Sequence, residues 1–343
     1  MLAPDQPLAL YMAGAFANNT GKMGLGLLRY SANPIVAIVA PEHAGTPSRS
    51  LPGVTRDVPV VATVADAQAL GAEVLVLGIA PPGGAIPDAW RPVLAEASAL
   101  GLSLLNGLHE RLAPTFLLVR EGQWVWDIRQ EPPGLVPATG AARELTCRRV
   151  LTVGTDMAVG KMTAGLELMR SLRQAGHGVA FVATGQIGIA ITGRGVPLDA
   201  VRVDYAAGAI EREVLAAQSA EIVIVEGQGS ILHPASTSTL PLLRGSMPTH
   251  LLLVHCAGME TLPRFPWVRV PDLRTVARLY EELAAAGGNF PRPVTIGVAL
   301  NCGHLSDAEA DAAVRRGTEE SGYPCADPVR HGCGLFISAL ESP

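Results

Sequence analysis

The stretch LTVGTDMAVGKMTAGLEL, residues 151–168, decides how the second half of this chain folds. An aliphatic run ends in glycine, a short loop follows, and a Gly-Lys pair closes the loop directly before a helical pattern. A phosphate-binding loop requires this strand–loop–helix order, because curled backbone N–H groups and a helix N-terminus together attract an anion. We therefore predict an anion site formed by Gly154, Thr155, Asp156, Val159, Gly160, Lys161, Met162 and Thr163.

Two features of this loop depart from the common phosphate-loop motif. Five residues, 155–159, separate the glycines, whereas the common motif has four. Met162 follows the lysine, so the hydroxyl that would hold magnesium moves to Thr163. The longer loop resembles the GTD…VGK loops of the dethiobiotin synthetase type, and the shifted hydroxyl weakens the case for ordinary ATP hydrolysis. The alternative interpretation is a tight glycine turn with a surface lysine.

A second aliphatic strand ends in an acid, in EIVIVEGQGSILHP, residues 221–234. The motif resembles the VEG-x-G strand end of the same synthetase class, where an acid faces the metal and phosphates. Parallel strands end at one edge of a sheet, so we expect Glu226 to lie near Lys161. His233, seven residues on, is a candidate general base. The alternatives are an acid that begins a glycine turn and a histidine that caps the loop.

Two further segments carry candidate ligand contacts. The glycine-rich segment TGQIGIAITGRG, residues 184–195, follows a strand and suggests a mobile loop that folds over a ligand. Within it, Arg194 could bind a carboxylate or phosphate with two hydrogen bonds. Asn301 ends another aliphatic run, where it could recognise an adenine edge. A solvated arginine and an ordinary turn asparagine are the alternatives.

A second Gly-Lys-Met tripeptide lies near the N-terminus, in GAFANNTGKMGLG, residues 14–26. Six residues separate its first two glycines, and no acid-tipped strand accompanies it, so it fits a phosphate loop less closely. Lys22 is a candidate contact for the charged end of a substrate. Asn18 and its neighbours favour turns in their own right, so this copy could serve only to turn the chain.

The chain as a whole shows the pattern of two α/β domains. It has 343 residues, too many for one ordinary domain, and 48% of them are hydrophobic. Aliphatic runs alternate with helical patterns, which predicts doubly wound parallel sheets. We expect strands within residues 8–14, 34–40, 72–80, 101–107, 149–155, 178–184, 220–227, 249–256 and 293–301. A proline-containing stretch predicts a linker over 124–148, between domains 1–123 and 149–343.

The net charge, the length of the apolar runs and the cysteine content limit the kinds of ligand and partner that this chain can be expected to bind. The net charge of −5 argues against a nucleic-acid surface, and the apolar runs are too short to span a bilayer. The five cysteines are scattered, so we expect neither a disulfide framework nor a metal site. These features indicate a cytoplasmic protein that acts on a small molecule, and aliphatic α/β enzymes of this kind often form homo-oligomers.

Taken together, the motifs resemble a bacterial family long described as a domain of unknown function. That family has a Rossmann-like N-terminal half and a P-loop NTPase-like C-terminal half, and the resemblance covers nearly the whole chain. Its characterised activity is D-glutamate N-acetyltransferase, with acetyl-CoA as co-substrate. The resemblance implies the same activity here, with the CoA phosphates on the loop. The alternatives are a kinase or ligase of the dethiobiotin synthetase type that uses ATP with magnesium, and a non-catalytic regulator that binds a nucleotide.

The implied reaction assigns roles to the candidate residues. The acceptor amine must lose a proton, for which Glu226 and His233 are the candidate bases. The dicarboxylate substrate needs cations, for which Lys22, Arg194 and Lys161 are the candidates. Backbone donors must stabilise the thioester oxygen as charge develops on it, and the turn that begins at Gly227 could provide them through Gln228, Gly229 and Ser230.

Overall fold

A computed structural model describes residues 2–16, 19–51, 53–81 and 83–341. Ala17 and Asn18, in the predicted N-terminal turn, therefore lie outside the described residues. The chain divides into two compact units. The first comprises Met1–Gln130 with Gln186–Pro197, and the second comprises Glu131–Gly185 with Leu198–Pro343. Each unit contains a six-stranded sheet.

The first 130 residues alternate strands and helices, as the aliphatic runs predict. The elements are β1 (Leu8–Tyr11), α1 (Lys22–Tyr30), β2 (Ile35–Val39), β3 (Val60–Val61), α2 (Val64–Ala69), β4 (Val74–Leu77), α3 (Arg91–Ala99), β5 (Ser103–Asn106) and β6 (Val125–Asp127).

The first sheet has the strand order β3-β2-β1-β4-β5-β6, and each of its strand pairs is parallel. The central strand β1 pairs with β2 and β4, so that Leu8 lies opposite both Ile35 and Val74. Strands β1, β4 and β5 are buried along their whole length, as expected where helices cover both faces. This order is that of the doubly wound dinucleotide-binding fold, which confirms the predicted Rossmann-like architecture.

The rest of the chain repeats the alternation with longer helices. The elements are β7 (Arg148–Gly154), α4 (Lys161–Gln174), β8 (Val179–Val182), α5 (Gln186–Thr192), α6 (Val203–Ala216), β9 (Ile222–Val225), α7 (Thr239–Ser246), β10 (His250–Cys256), β11 (Thr261–Leu262), β12 (Phe265–Arg269), α8 (Leu273–Ala285), β13 (Val294–Asn301), α9 (Asp307–Ser321), β14 (Cys325–Ala326) and α10 (Gly334–Glu341).

The second sheet has the order β14-β13-β10-β7-β9-β8 and is also parallel throughout. Strand β7 lies at its centre, between β10 and β9. The loop after β7 and the acid after β9 therefore emerge at the same edge, where ligands bind in open α/β sheets. Strands β11 and β12 form a separate antiparallel hairpin.

Two segments differ from the sequence-based expectation. The predicted linker contains β6, which pairs with β5 at the edge of the first sheet. The predicted mobile loop over 184–195 is wrong for its central part, which forms the helix α5. Gly188, Ile189, Ala190 and Ile191 are buried in that helix, so the apolar spacing outweighs the glycine content. Helix α5 belongs to the first unit and packs against α1.

None of the helices formed by the described residues is both long and apolar enough to cross a membrane.

Candidate active site

The loop between β7 and α4 has the backbone geometry of an anion-binding loop. Ala158 and Gly160 both have positive φ, +56° and +111°, so the chain curls sharply before the helix begins at Lys161. Gly160 occupies the N-cap position and has no side chain to cap the first-turn N–H groups. Those groups and the helix dipole therefore point toward a ligand position.

Two neighbouring elements, α8 and β10, hold the start of this loop in place. The Tyr280 hydroxyl, on α8, donates to the Gly154 carbonyl at 2.7 Å. The Thr155 amide donates to the Val254 carbonyl at 3.1 Å, and the Thr155 hydroxyl lies 2.9 Å from Nδ1 of His255. Burial lowers the pKa of His255 to about 4, so its ring is neutral at physiological pH. The loop is thus fixed mainly by hydrogen bonds from outside it.

Asn301 supports the loop from β13. Its side-chain amide donates to the Val159 carbonyl at 3.1 Å, and its oxygen accepts from the Gly303 amide at 3.2 Å. These contacts give Asn301 a structural task at the site. Recognition of an adenine edge by the same side chain stays a prediction.

Lys161 is buried within the loop that it closes. Only 6% of it is exposed, and its ammonium donates to the Asp156 carbonyl at 2.7 Å. Its aliphatic stem runs past Gly154 and Gly227, where an added methyl group would lie 3.2 and 3.1 Å from Cδ. Burial lowers the pKa of Lys161 to about 8, while the negative charges of Asp156 and Glu226 oppose that change.

Glu226 follows β9 directly and is 3% exposed. One carboxylate oxygen accepts from the amides of Thr184 and Gly185 at 2.9 and 3.2 Å, and the other accepts from the Gln228 side chain at 3.4 Å. Burial raises the pKa of Glu226 to about 7, although the two amides and Lys161 favour its ionised form. A carboxyl group with this pKa can gain or lose a proton near neutrality.

Two of the backbone amides in the turn after Glu226 already donate to side chains of the protein. The Gly227 amide donates to the Thr152 hydroxyl at 2.8 Å, and the Ser230 amide donates to the Ser236 hydroxyl at 3.0 Å. An added methyl group at Gly227 would lie 1.7 Å from the Thr152 carbonyl oxygen, so the close approach of β7 and β9 requires glycine here. The donors that remain for a ligand in this turn are the amides of Gln228 and Gly229.

His233 lies beside the loop with a defined tautomer. Its Nδ1 accepts from the Ala235 amide at 3.1 Å, so the proton of the neutral ring is on Nε2. That Nε2 lies 3.9 Å from a carboxylate oxygen of Asp156. In this state His233 faces the loop as a hydrogen-bond donor.

The remaining predicted contacts lie in the first unit. Lys22 is exposed and begins α1, whereas Arg194 follows α5, the helix that packs against α1. The Arg194 carbonyl accepts from the Thr192 hydroxyl at 2.8 Å. The loop residues and the acidic strand end, by contrast, all belong to the second unit.

Sequence reasoning missed three polar residues that build the site. Thr152 and Thr184 are buried and hold the Glu226 turn through their hydroxyls, with Thr184 donating to the Glu226 carbonyl at 2.7 Å. A hydroxyl inside an otherwise aliphatic strand, as in LTVG, was a usable signal. Tyr280 lies more than a hundred residues from the loop it contacts, and its helix carries no local mark of that contact.

Comparison with known proteins matches both halves of the chain. A P-loop family, Domain of unknown function (DUF1611_C), matches residues 136–337, and a Rossmann-like family, Domain of unknown function (DUF1611_N), matches residues 41–131. A crystal structure of a DUF1611 family protein from Anabaena variabilis is 47% identical, with a TM-score of 0.93 over 98% of this chain and 99% of that one.

Two curated relatives carry the name D-glutamate N-acetyltransferase. The protein from Tritonibacter scottomollicae is 36% identical over 98% of this chain and 99% of its own length. The protein from Pseudoalteromonas sp is 34% identical over 81% of this chain and 84% of its own length.

Proposed function

Because the chain belongs to the DUF1611 family, we propose that it is an N-acetyltransferase that moves the acetyl group of acetyl-CoA to the amine of a D-amino acid, D-glutamate in particular. The observation that carries the proposal is the glycine-capped loop with buried Lys161 beneath it and Glu226 at the neighbouring strand end. The names of the two curated relatives support the acetyl transfer.

In this proposal, the loop from Gly154 to Thr163 binds the phosphates of CoA. CoA carries a diphosphate and a further phosphate, and backbone amides at a helix N-terminus bind such groups without a metal. Lys161 lies in the same loop and supplies a cation. Asn301, which already contacts the Val159 carbonyl, lies beside the loop as the contact proposed for the adenine.

The chemical step requires a base and a set of hydrogen-bond donors. The base takes one proton from the substrate ammonium, and we assign this role to Glu226 because its pKa of about 7 suits it. The amine nitrogen then bonds to the acetyl carbon and the carbon–sulfur bond breaks. CoA leaves as the thiol with the second amine proton. His233, held as a donor on Nε2, would orient the reactants.

The same proposal accounts for the other predicted contacts. The amides of Gln228 and Gly229 would donate to the thioester oxygen as negative charge develops on it, whereas the amide of Ser230, the third predicted donor, already donates to the Ser236 hydroxyl. Lys22 and Arg194, both of the first unit, stay predicted contacts for the carboxylates of the acceptor. Lys22 begins α1 and Arg194 follows α5. These two helices pack together in the first unit.

A kinase or ligase that uses ATP with magnesium is the second candidate, because the P-loop and an acid after β9 are also its requirements. Thr163 in the first turn of α4 and Glu226 would then hold the metal. One observation favours acetyl transfer over it: N–H donors already occupy both oxygens of Glu226, and such donors compete with metal coordination.

The test is an assay of CoA thiol release from acetyl-CoA with D-glutamate, alongside L-glutamate and a no-acceptor control. We expect D-glutamate-dependent thiol release without ATP or magnesium, together with stabilisation of the protein by CoA alone. Stabilisation by ATP only when magnesium is present, with no thiol release, would overturn the proposal in favour of the second candidate.

A further inference from the structure

The hairpin of β11 and β12 carries two aromatic rings that extend away from the candidate active site. Phe265 packs edge-to-face on His233, with ring centroids 5.0 Å apart and an interplanar angle of 88°. Trp267 packs in the same way on Phe265, at 6.2 Å and 79°. Residues two apart in a strand share one face, so the three rings form a continuous row. We call His233, Phe265 and Trp267 the aromatic strip.

One end of the aromatic strip lies at the phosphate loop. Nε2 of His233 is 3.9 Å from the Asp156 carboxylate, and His233 is buried. The other end is open, because Trp267 is 75% exposed. The strip therefore leads from the proposed phosphate position to the surface of the second unit in two ring-to-ring steps. An indole at such a place offers a broad apolar surface and an N–H donor at its edge.

Sheet order indicates which part of a bound CoA would reach this strip. Asn301, the proposed adenine contact, ends β13, on one side of the central strand β7. Glu226 and His233 follow β9, on the other side. With the diphosphate over the loop after β7 and the adenine toward β13, the remaining arm of the molecule runs toward β9. The hairpin itself follows β10, on the β13 side of β7, and Phe265 joins it to the segment after β9 through its contact with His233.

We propose that the aromatic strip binds the pantetheine arm of CoA, and so directs the thioester past Glu226. This inference rests on the proposed function. The arm consists of methylene and methyl groups interrupted by amides, so it can cover the Phe265 and Trp267 rings while an amide meets the indole N–H. Trp267 is then a specificity residue for a ligand with an arm, as opposed to a bare nucleotide.

The experiment compares two ligands by calorimetry on the full chain. One ligand is CoA and the other is 3′-phosphoadenosine 5′-diphosphate, the nucleotide half of CoA without its arm. For Trp267→Ala we expect the Kd of CoA to rise about tenfold, as for loss of a packed aromatic contact, and that of the nucleotide half to change less than about twofold. Leu335→Ala, at another exposed apolar residue of the second unit, is the matched control and should change neither Kd.

The outcomes separate this inference from the proposed function. Binding of CoA with an unchanged Kd in Trp267→Ala, or equal weakening of both ligands, would overturn the role of the strip and leave the acetyl transfer standing. An unchanged Kd with an altered sedimentation coefficient would assign Trp267 to an interface between copies instead. No binding of CoA to the wild-type protein would overturn both proposals.

Discussion

The two Gly-Lys-Met tripeptides begin helices of different character. Gly160 has a φ of +111°, and the lysine after it is buried. Gly21 has an ordinary φ of −78°, and Lys22 is exposed. In α1 the first-turn amide of Gly24 already donates to the Gly78 carbonyl at 2.9 Å.

The comparison shows that the tripeptide alone does not make an anion site. In the first unit, the residue after the neighbouring strand supplies a carbonyl that accepts from one first-turn amide of the helix. In the second unit, the neighbouring strand end supplies an acid, and the chain curls through positive φ before the helix. The two helix starts therefore differ in the backbone curl before the helix and in the group at the end of the adjacent strand.

The largest expected difference between the two copies is in CoA binding. Lys161→Ala removes the cation that we propose to contact phosphate and should raise the Kd of CoA about 100-fold, as for loss of a charge-assisted hydrogen bond. Lys22→Ala should leave that Kd unchanged and raise the KM for the dicarboxylate acceptor. Calorimetry and steady-state kinetics measure the two effects. Equal Kd values for both variants would remove the distinction between the copies.

The two glycines should respond to alanine for different reasons. In Gly160→Ala the positive φ strains the backbone by about 1–3 kcal/mol, although the nearest atom, Nδ2 of Asn301, is 3.6 Å from the new methyl group. In Gly21→Ala the φ is acceptable, but the methyl group would lie 2.3 Å from the Ala15 carbonyl oxygen. Both should lower the urea midpoint of the unit concerned, and only Gly160→Ala should also weaken CoA binding. An unchanged midpoint for Gly160→Ala would contradict the backbone geometry of the loop.

The pH dependence of CoA binding should reveal the buried lysine. Its pKa is about 8 in the free protein, and a bound polyanion favours the charged form. Above pH 8 a proton must be taken up on binding, so the Kd should rise by up to about tenfold per pH unit. Titrations from pH 6.5 to 9.5 would show a break in the plot of log Kd against pH, near the pKa of the lysine. The break should disappear in Lys161→Ala and persist in Lys22→Ala; the reverse pattern would assign the titration to the N-terminal copy.

The smallest effect concerns the support of the loop from β13. Asn301→Ala deletes the hydrogen bond to the Val159 carbonyl, so about 1 kcal/mol of stability should be lost. The same substitution should also weaken binding of the nucleotide half of CoA if the side chain contacts adenine. Asn301→Asp is the informative partner, since it keeps the size of the side chain but lacks the N–H donor. Equal unfolding free energies for Asn301→Ala and the wild-type protein would show that the loop holds its shape without this contact.

Local sequence patterns were enough to predict most of the strands. Continuous aliphatic runs such as AEIVIV and THLLLV sufficed to predict β9 and β10, because buried parallel strands read in this way. Strand β3 has only two residues, too few for any periodicity, and β6 was hidden by the prolines around it. Helix α9, which the sequence analysis does not predict, begins with a reciprocal capping box between Ser306 and Glu309.

The residues of the candidate site likewise fall into those that a local pattern predicts and those that it does not. The phosphate loop and the acid after β9 are continuous in sequence with their strands, so a local pattern was enough to find them. The contacts that hold them are not local: Asn301 reaches back 142 residues to Val159, and Gly227 reaches back 75 residues to Thr152. Such pairings depend on sheet order, which residue patterns do not specify.

The phenol of Tyr280 forms hydrogen bonds with both the segment after β7 and the segment after β9. The Tyr280 hydroxyl donates to the Gly154 carbonyl and accepts from the Ile231 amide, 3.2 Å away, so the segments after β7 and β9 share one hydrogen-bonding group. Any ligand that shifts the first segment must also disturb the second. Deuterium uptake at the Ile231 amide should therefore change when an anion occupies the loop, which makes that distant proton a reporter of occupancy.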